Sequence, residues 1–114
     1  CELTVTAPTI VAELRDGEIR RYTVTPEEVG LAPGKLDDIR TDSPEESAEM
    51  ITRILSGKDR GTPRDMALFN AAGALVVAGK AADLREGVGL AKDSVDSGSS
   101  AEKLRQLIDF SQAA

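Results

Sequence analysis

The sequence predicts an α/β chain in which a β-hairpin is followed by about four helices. Three observations carry this expectation. Asp16-Gly17 lies between two segments with β-branched residues, Thr9 to Arg15 and Glu18 to Val24, and Asp-Gly in that setting is the strongest short hairpin signal. A hydroxyl residue, a proline and, two positions later, a carboxylate recur three times, at Thr25-Pro26-Glu27-Glu28, Ser43-Pro44-Glu45-Glu46 and Thr62-Pro63-Arg64-Asp65. That order places an N-cap, a proline at the first helical position and an acid at the third. The stretch from Met66 to Val77 is apolar on nearly every side, as in a helix packed all round.

Taken along the chain, residues 1–24 read as β-strands with the turn at 16–17, residues 25–42 as a turn and loop, and residues 43–114 as the helical part, with no internal domain boundary. The β-like pattern runs from Glu2 to Val24. A two-residue turn sets the hairpin register: Leu14 faces Ile19, Val11 faces Tyr22, Glu13 faces Arg20 and Arg15 faces Glu18. The first proline start should yield only about a turn, because Gly30 and then Pro33-Gly34 stop it. The second opens a helix from about Pro44 to Leu55, with Ala48, Ile51 and Leu55 at helical spacing and Glu45, Glu46, Glu49 and Arg53 on the wet face.

The third start opens the segment Pro63 to Ala78, the expected centre of the core. Gly73 within it points to close approach of another element, since glycine there loses about 1 kcal/mol against alanine. A fourth helix is expected from about Ala82 to Ser97, with Leu84, Val88, Ala91 and Val95 on one stripe. Ser99-Ser100-Ala101-Glu102 reads as a capping-box start for a last helix lined by Leu104, Leu107, Ile108 and Phe110.

Composition narrows the classes of function. A chain of 114 residues with 40% hydrophobic content is long enough for one core, burying roughly two-thirds of its unfolded surface. Aromatics are confined to Tyr22, Phe69 and Phe110, so aliphatic residues fill the core. The net charge of −6 opposes a phosphate-backbone partner, and no nucleic acid is expected. No apolar run approaches the roughly 20 residues that span a bilayer, and no leader pattern opens the chain, so no membrane partner and a cytoplasmic location are expected. With one cysteine and no histidine, an internal disulfide, a His-based metal site and Ser-His or Cys-His pairs are excluded. Cys1 at the start, leading straight into β-patterned sequence, reads as the edge of a cut piece. A lipid-modified N-terminal cysteine is the other reading, and the missing polar linker disfavours it.

Candidate sites are few. Gly57-Lys58-Asp59-Arg60-Gly61 lies between helices and reads as a connection rather than a phosphate loop. The pairs Asp37-Asp38 and Glu45-Glu46 read as capping or solvated residues rather than cation ligands. Asp65 reads as a cap, Arg64 as the partner of an acid on another element, and Asn70 as a carboxamide that pins two elements together.

Three stretches together carry a family resemblance. Glu2-Leu3-Thr4 leads through Ala7-Pro8-Thr9 into the hairpin; Arg64-Asp65 precedes Phe69-Asn70-Ala71-Ala72-Gly73-Ala74-Leu75; and Leu84-Arg85-Glu86-Gly87-Val88 precedes Ser94-Val95-Asp96-Ser97-Gly98. In order and spacing they resemble the motifs in about the last third of anthranilate phosphoribosyltransferases. The resemblance implies a fragment of the large α/β domain of the nucleoside phosphorylase/phosphoribosyltransferase fold. It implies a parent that transfers the phosphoribosyl group of phosphoribosyl pyrophosphate to anthranilate in tryptophan biosynthesis, with Mg2+ as cofactor. It also implies a homodimer formed through a small helical domain absent here, and the remainder of the large domain as the structural partner.

In the family an adjacent Asp-Glu pair helps hold magnesium. Glu2 matches the glutamate, whereas Cys1 stands at the aspartate position, and a thiol is a poor ligand for a hard cation. The implied metal residue is therefore Glu2 alone. The family's glycine-rich pyrophosphate loop and its anthranilate-binding residues have no counterpart in these residues, so no catalytic or substrate-binding residue is assigned and the chain alone is expected to be inactive. The alternatives are a piece of a related superfamily member, such as a pyrimidine-nucleoside phosphorylase or a transferase-like binding protein, and a non-catalytic helical interaction module.

Overall fold

The computed structural model describes residues 2–113, so Cys1 and the readings attached to it lie outside the described residues. The order is β1 (Thr9–Arg15), β2 (Glu18–Val24), two short 3-10 turns at Glu27–Val29 and Leu36–Asp38, then α1 (Pro44–Leu55), α2 (Thr62–Val77), α3 (Leu84–Asp96) and α4 (Ser99–Gln112). The expected α/β chain of one hairpin and four helices is present. Strands β1 and β2 form an antiparallel two-stranded sheet in the expected register, including Leu14 with Ile19 and Val11 with Tyr22. Asp16 and Gly17 both take positive φ, 52° and 80°, as the two-residue turn requires.

The β reading of residues 2–8 is not borne out, because strand geometry begins only at Thr9. Side chains take over the backbone groups that a ladder would have used. The Thr4 amide donates to Thr9 Oγ1 at 3.2 Å, the Thr6 amide donates to Thr4 Oγ1 at 3.1 Å, and the amides of Glu2 and Leu3 donate to Asn70. Such local bonds compete directly with sheet pairing. Val5, fully buried, anchors this irregular segment in the core, and its carbonyl accepts from the Gly34 amide at 2.9 Å.

Helix starts follow the sequence signals with three corrections. At α1 the expected N-cap forms: Ser43 Oγ accepts from the Glu46 amide, and Glu46 Oε2 accepts from the amide of Asp42, just before Ser43. At α2 the N-cap is Gly61 rather than Thr62, whose hydroxyl donates instead to Asp38 Oδ2 at 3.2 Å. At α3 the helix begins at Leu84, two residues later than expected, because Asp83 caps the Glu86 amide and Glu86 reaches back to the Ala82 amide. At α4 the Ser99 box does not form. Gly98, at φ 84°, is the cap, while Glu102 is engaged by Arg105 and Gln106.

The core is built from Val5, Val24, Val29 and Leu31 against α2 (Met66, Leu68, Phe69, Ala72) and α3 (Val88, Ala91, Val95). Helices α2 and α3 approach most closely at Gly87, where a Cβ would lie 2.9 Å from the Cα, Cβ and carbonyl oxygen of Ala72. The inner stripe of α1 is rotated by one residue from the expected one. Ile54 is buried and Met50 half-buried, whereas Ala48 and Ile51 face solvent.

Helix α2 is the most buried helix, but it is not packed all round. Ala67, Ala71, Ala74 and Val77 form an exposed stripe along it, with Val77 90% exposed. Nor is α4 lined as expected: it buries no residue, and Leu107, Ile108 and Phe110 are exposed. The chain exposes 7705 Å2, against about 6,000 Å2 for a compact monomer of its mass. Its radius of gyration is 15.0 Å, against about 13 Å for a compact domain of this length.

Two outcomes follow from the backbone and packing. Nothing lies within 4 Å of a Cβ built at Gly17, so Gly17→Val should act through backbone strain alone. It should destabilise the hairpin by about 1–3 kcal/mol, whereas Gly17→Asn should lose far less; cross-strand NOEs and thermal unfolding read both. Leu68, 2% exposed, should lose roughly 2–5 kcal/mol on Leu68→Ala, and half-buried Leu75 clearly less on Leu75→Ala, in urea unfolding.

Candidate functional site

Glu2 and Leu3 are held against α2 by two residues one turn apart. The Asn70 carboxamide accepts from the Glu2 amide at 3.2 Å and the Leu3 amide at 3.0 Å through Oδ1, and its Nδ2 donates to the carbonyls of Leu3 at 2.7 Å and Met66 at 3.0 Å. Every hydrogen-bonding capacity of the side chain is used. Gly73 provides the second contact, because a Cβ there would lie 3.0 Å from Leu3 Cδ1. The sequence reading of both residues, Asn70 as a pin between elements and Gly73 as a point of close approach, holds.

The Glu2 side chain stands at the solvent-facing end of this segment, and among the described residues no hydrogen bond or ion pair engages its carboxylate. Beside it an apolar groove of about 590 Å3 opens between the hairpin and α2, lined by Leu3, Ile10, Val11, Leu14, Val76 and Val77. No group of three metal-ligating side chains occurs among the described residues. A single free carboxylate nevertheless suits magnesium, which keeps several waters and takes one or two protein carboxylates together with substrate phosphates. Glu2 therefore fits the implied ion as one of its ligands.

The other candidates resolve into structural roles. Asp38 Oδ2 accepts from the Lys35 amide and the Thr62 hydroxyl, and Glu46 caps α1. In the 57–61 connection, the amides of Lys58 and Asp59 donate to the Arg53 carbonyl and the Gly61 amide donates to Asp59. Arg64 is buried and pairs with Asp96 at 2.7 Å, tying the start of α2 to the end of α3, and Arg60 approaches the same carboxylate at 3.8 Å. The Asp96 partner lay within the motif Ser94 to Gly98, but nothing in the spacing assigned it to Arg64.

Asp65 does not cap α2. Partial burial raises its pKa above the ordinary carboxylate value, offset in part by the Ala32 backbone N–H and the neighbouring Arg64 charge.

The fold and its motifs can be placed by comparison. Residues 2–101 match the model of the glycosyl transferase family, a/b domain, and the chain belongs to that family. The particular relatives are anthranilate phosphoribosyltransferases. The one from Parvibaculum lavamentivorans is 47% identical over 107 residues, covering 94% of this chain and 31% of the relative. The one from Bacillus subtilis is 44% identical over 106 residues, covering 93% and 31%. The crystal structure of the Thermus thermophilus enzyme superimposes with a TM-score of 0.75 at 36% identity, covering 79% of this chain and 27% of that one. The Saccharomyces cerevisiae enzyme in complex with 4-fluoroanthranilate aligns over 99% of this chain and 33% of its own, with a TM-score of 0.87 at 24% identity, which speaks for the fold alone. The chain spans about a third of the length of the curated relatives it matches.

The raised Asp65 pKa carries a sign. A folded-state pKa above the ordinary 3.8 means that the folded chain holds the proton more tightly. The associated stability is full below that value and is lost as pH rises through the folded pKa. Asp65→Asn, which keeps an oxygen for the Ala32 amide, should therefore gain stability relative to wild type as pH rises across that interval. Urea midpoints of both proteins across the acid range measure the difference.

Proposed function

We propose that this chain is the carboxy-terminal part of an anthranilate phosphoribosyltransferase, that the whole enzyme joins the phosphoribosyl group of phosphoribosyl pyrophosphate to the amine of anthranilate, and that the 114-residue chain alone does not. The observation that carries this reading is identity of 44–47% across nearly all of the chain to enzymes of that name, together with its span of about a third of their length. The proposal includes magnesium, a homodimer made through residues outside this chain, the remainder of the large domain as structural partner, and the cytoplasm as compartment.

Within this reading the chain supplies one functional side chain. Glu2 is the residue that would hold Mg2+, and the ion would supply positive charge against the departing pyrophosphate. The rest of the chain supports: α2 carries the Glu2–Leu3 segment, and the core of α2 and α3 fixes α2. Transfer requires a cradle that orients the pyrophosphate and a pocket that orients the amine. One carboxylate at the edge of an apolar groove provides neither.

The test is loss of anthranilate fluorescence with phosphoribosyl pyrophosphate and Mg2+. The purified 114-residue chain should give no turnover, and the full-length protein that carries this segment should turn over. Turnover by the short chain would overturn the inactivity proposal. A full-length protein that ignores anthranilate but splits a pyrimidine nucleoside with phosphate would favour a phosphorylase instead.

A further inference from the structure

We infer that Asn70 is a positioning residue for the Glu2 carboxylate, an inference that rests on the reading of Glu2 as a magnesium ligand. Nothing in the described strands or helices holds Glu2 by backbone pairing, because residues 2–8 lie outside the sheet. The backbone of Glu2 is fixed instead by one side chain of α2. Asn70 Oδ1 accepts from both the Glu2 and Leu3 amides, and Nδ2 donates to the Leu3 carbonyl. The remaining Nδ2 hydrogen goes to Met66 O, one turn earlier in α2, which orients the carboxamide plane from the helix side.

Leu3 also lies against Gly73 on the next turn, where a Cβ would come 3.0 Å from its Cδ1. The Cα of Glu2 is thus referenced to the axis of the most buried helix rather than to the exposed hairpin. For a ligand with three rotatable side-chain bonds, that reference removes the backbone contribution to its spread. The same bonds could serve only to fasten segment 2–8 to α2. The two roles differ in one respect: a tether affects stability, whereas a positioning residue also affects the affinity of the ion that its neighbour holds.

The experiment titrates the full-length protein carrying this segment with Mg2+ in the presence of pyrophosphate, by calorimetry, at a temperature where each variant is folded. Glu2→Gln should weaken Mg2+ binding. Asn70→Ala should weaken it by about tenfold with Glu2 intact, the lower end of what loss of an outer-shell partner does to a metal site. Asn70→Asp, which keeps the acceptor for both amides but loses both donors, to Leu3 O and Met66 O, and sets an anionic oxygen against those carbonyls, should also weaken it. Leu68→Ala, a core change on the same helix, should lower the melting temperature and leave Mg2+ affinity unchanged.

Amide hydrogen exchange at Glu2 and Leu3 should rise in Asn70→Ala and not in Leu68→Ala. If Glu2→Gln binds Mg2+ like wild type, the metal reading falls and the positioning role falls with it. If Glu2→Gln weakens binding but folded Asn70→Ala and Asn70→Asp do not, the positioning role alone is overturned. Should Asn70→Ala fail to fold, Asn70→Asp with wild-type affinity and wild-type exchange at both amides overturns it equally.

Discussion

The closest approach of α2 and α3 governs the rest of this fold. At Gly87 the two backbones are so near that a Cβ would meet the Cα, Cβ and carbonyl oxygen of Ala72 at 2.9 Å. Two small residues facing each other let the helices pack at short range, and Leu68 and Phe69 from α2 join Val88, Ala91 and Val95 from α3 in one buried cluster. The ion pair of Arg64 with Asp96 closes the far end of the same contact. It places a cation at the carboxy-terminal end of α3, where the helix dipole favours it. The guanidinium is buried with its Nε unpartnered, so loss of Asp96 would leave a buried charge short of its partner, which costs more than the pair itself contributes.

From that pair outward, burial decreases. The irregular segment 2–8, the end of β2 and the turn at Glu27–Val29 are fastened onto α2 and α3, and all contribute buried residues. The hairpin beyond them packs against the core through Val11 and Tyr22, while Ile10, Leu14 and Ile19 are exposed, Ile10 by 80%. An isolated two-stranded hairpin is marginal in water. With the bare stripe of α2 and the uncovered α4, these faces account for a surface well above that of a compact monomer of this mass. They are also the faces that the remainder of the large domain would cover under the proposed function.

What could be read from the sequence depended on how local its cause was. The hairpin register was legible in full, because a two-residue turn determines every later pair. The α1 start was legible because Ser43 and Glu46 satisfy each other's neighbourhood within four residues. The α1 stripe was misread by one position. Ala48-Ile51 and Met50-Ile54 are both helically spaced, and only the neighbouring helices choose between them; Leu55 does pack against the core, as expected. The Thr62 and Ser99 starts looked equivalent to Ser43, yet Asp38, 24 residues away, takes the Thr62 hydroxyl, and Gly98 caps α4 by adopting a positive φ. Residues 2–8 looked like strand because threonine and valine favour strands. Their threonine hydroxyls and a carboxamide 67 residues away supplied the backbone partners instead.

The site divides along the same line. Glu2 could be singled out only by its motif: an exposed carboxylate has no physical signature of its own, and in the fold the Glu2 carboxylate makes no protein bond among the described residues. Asn70 was legible on physical grounds, because a carboxamide inside an apolar helix must find partners. It was not legible which backbone it would hold, since that partner lies far away in sequence. A carboxylate with no protein bond among the described residues is thus carried by a backbone that the Asn70 side chain holds. A short segment held in this way presents an exposed carboxylate on a backbone that is itself fixed to α2.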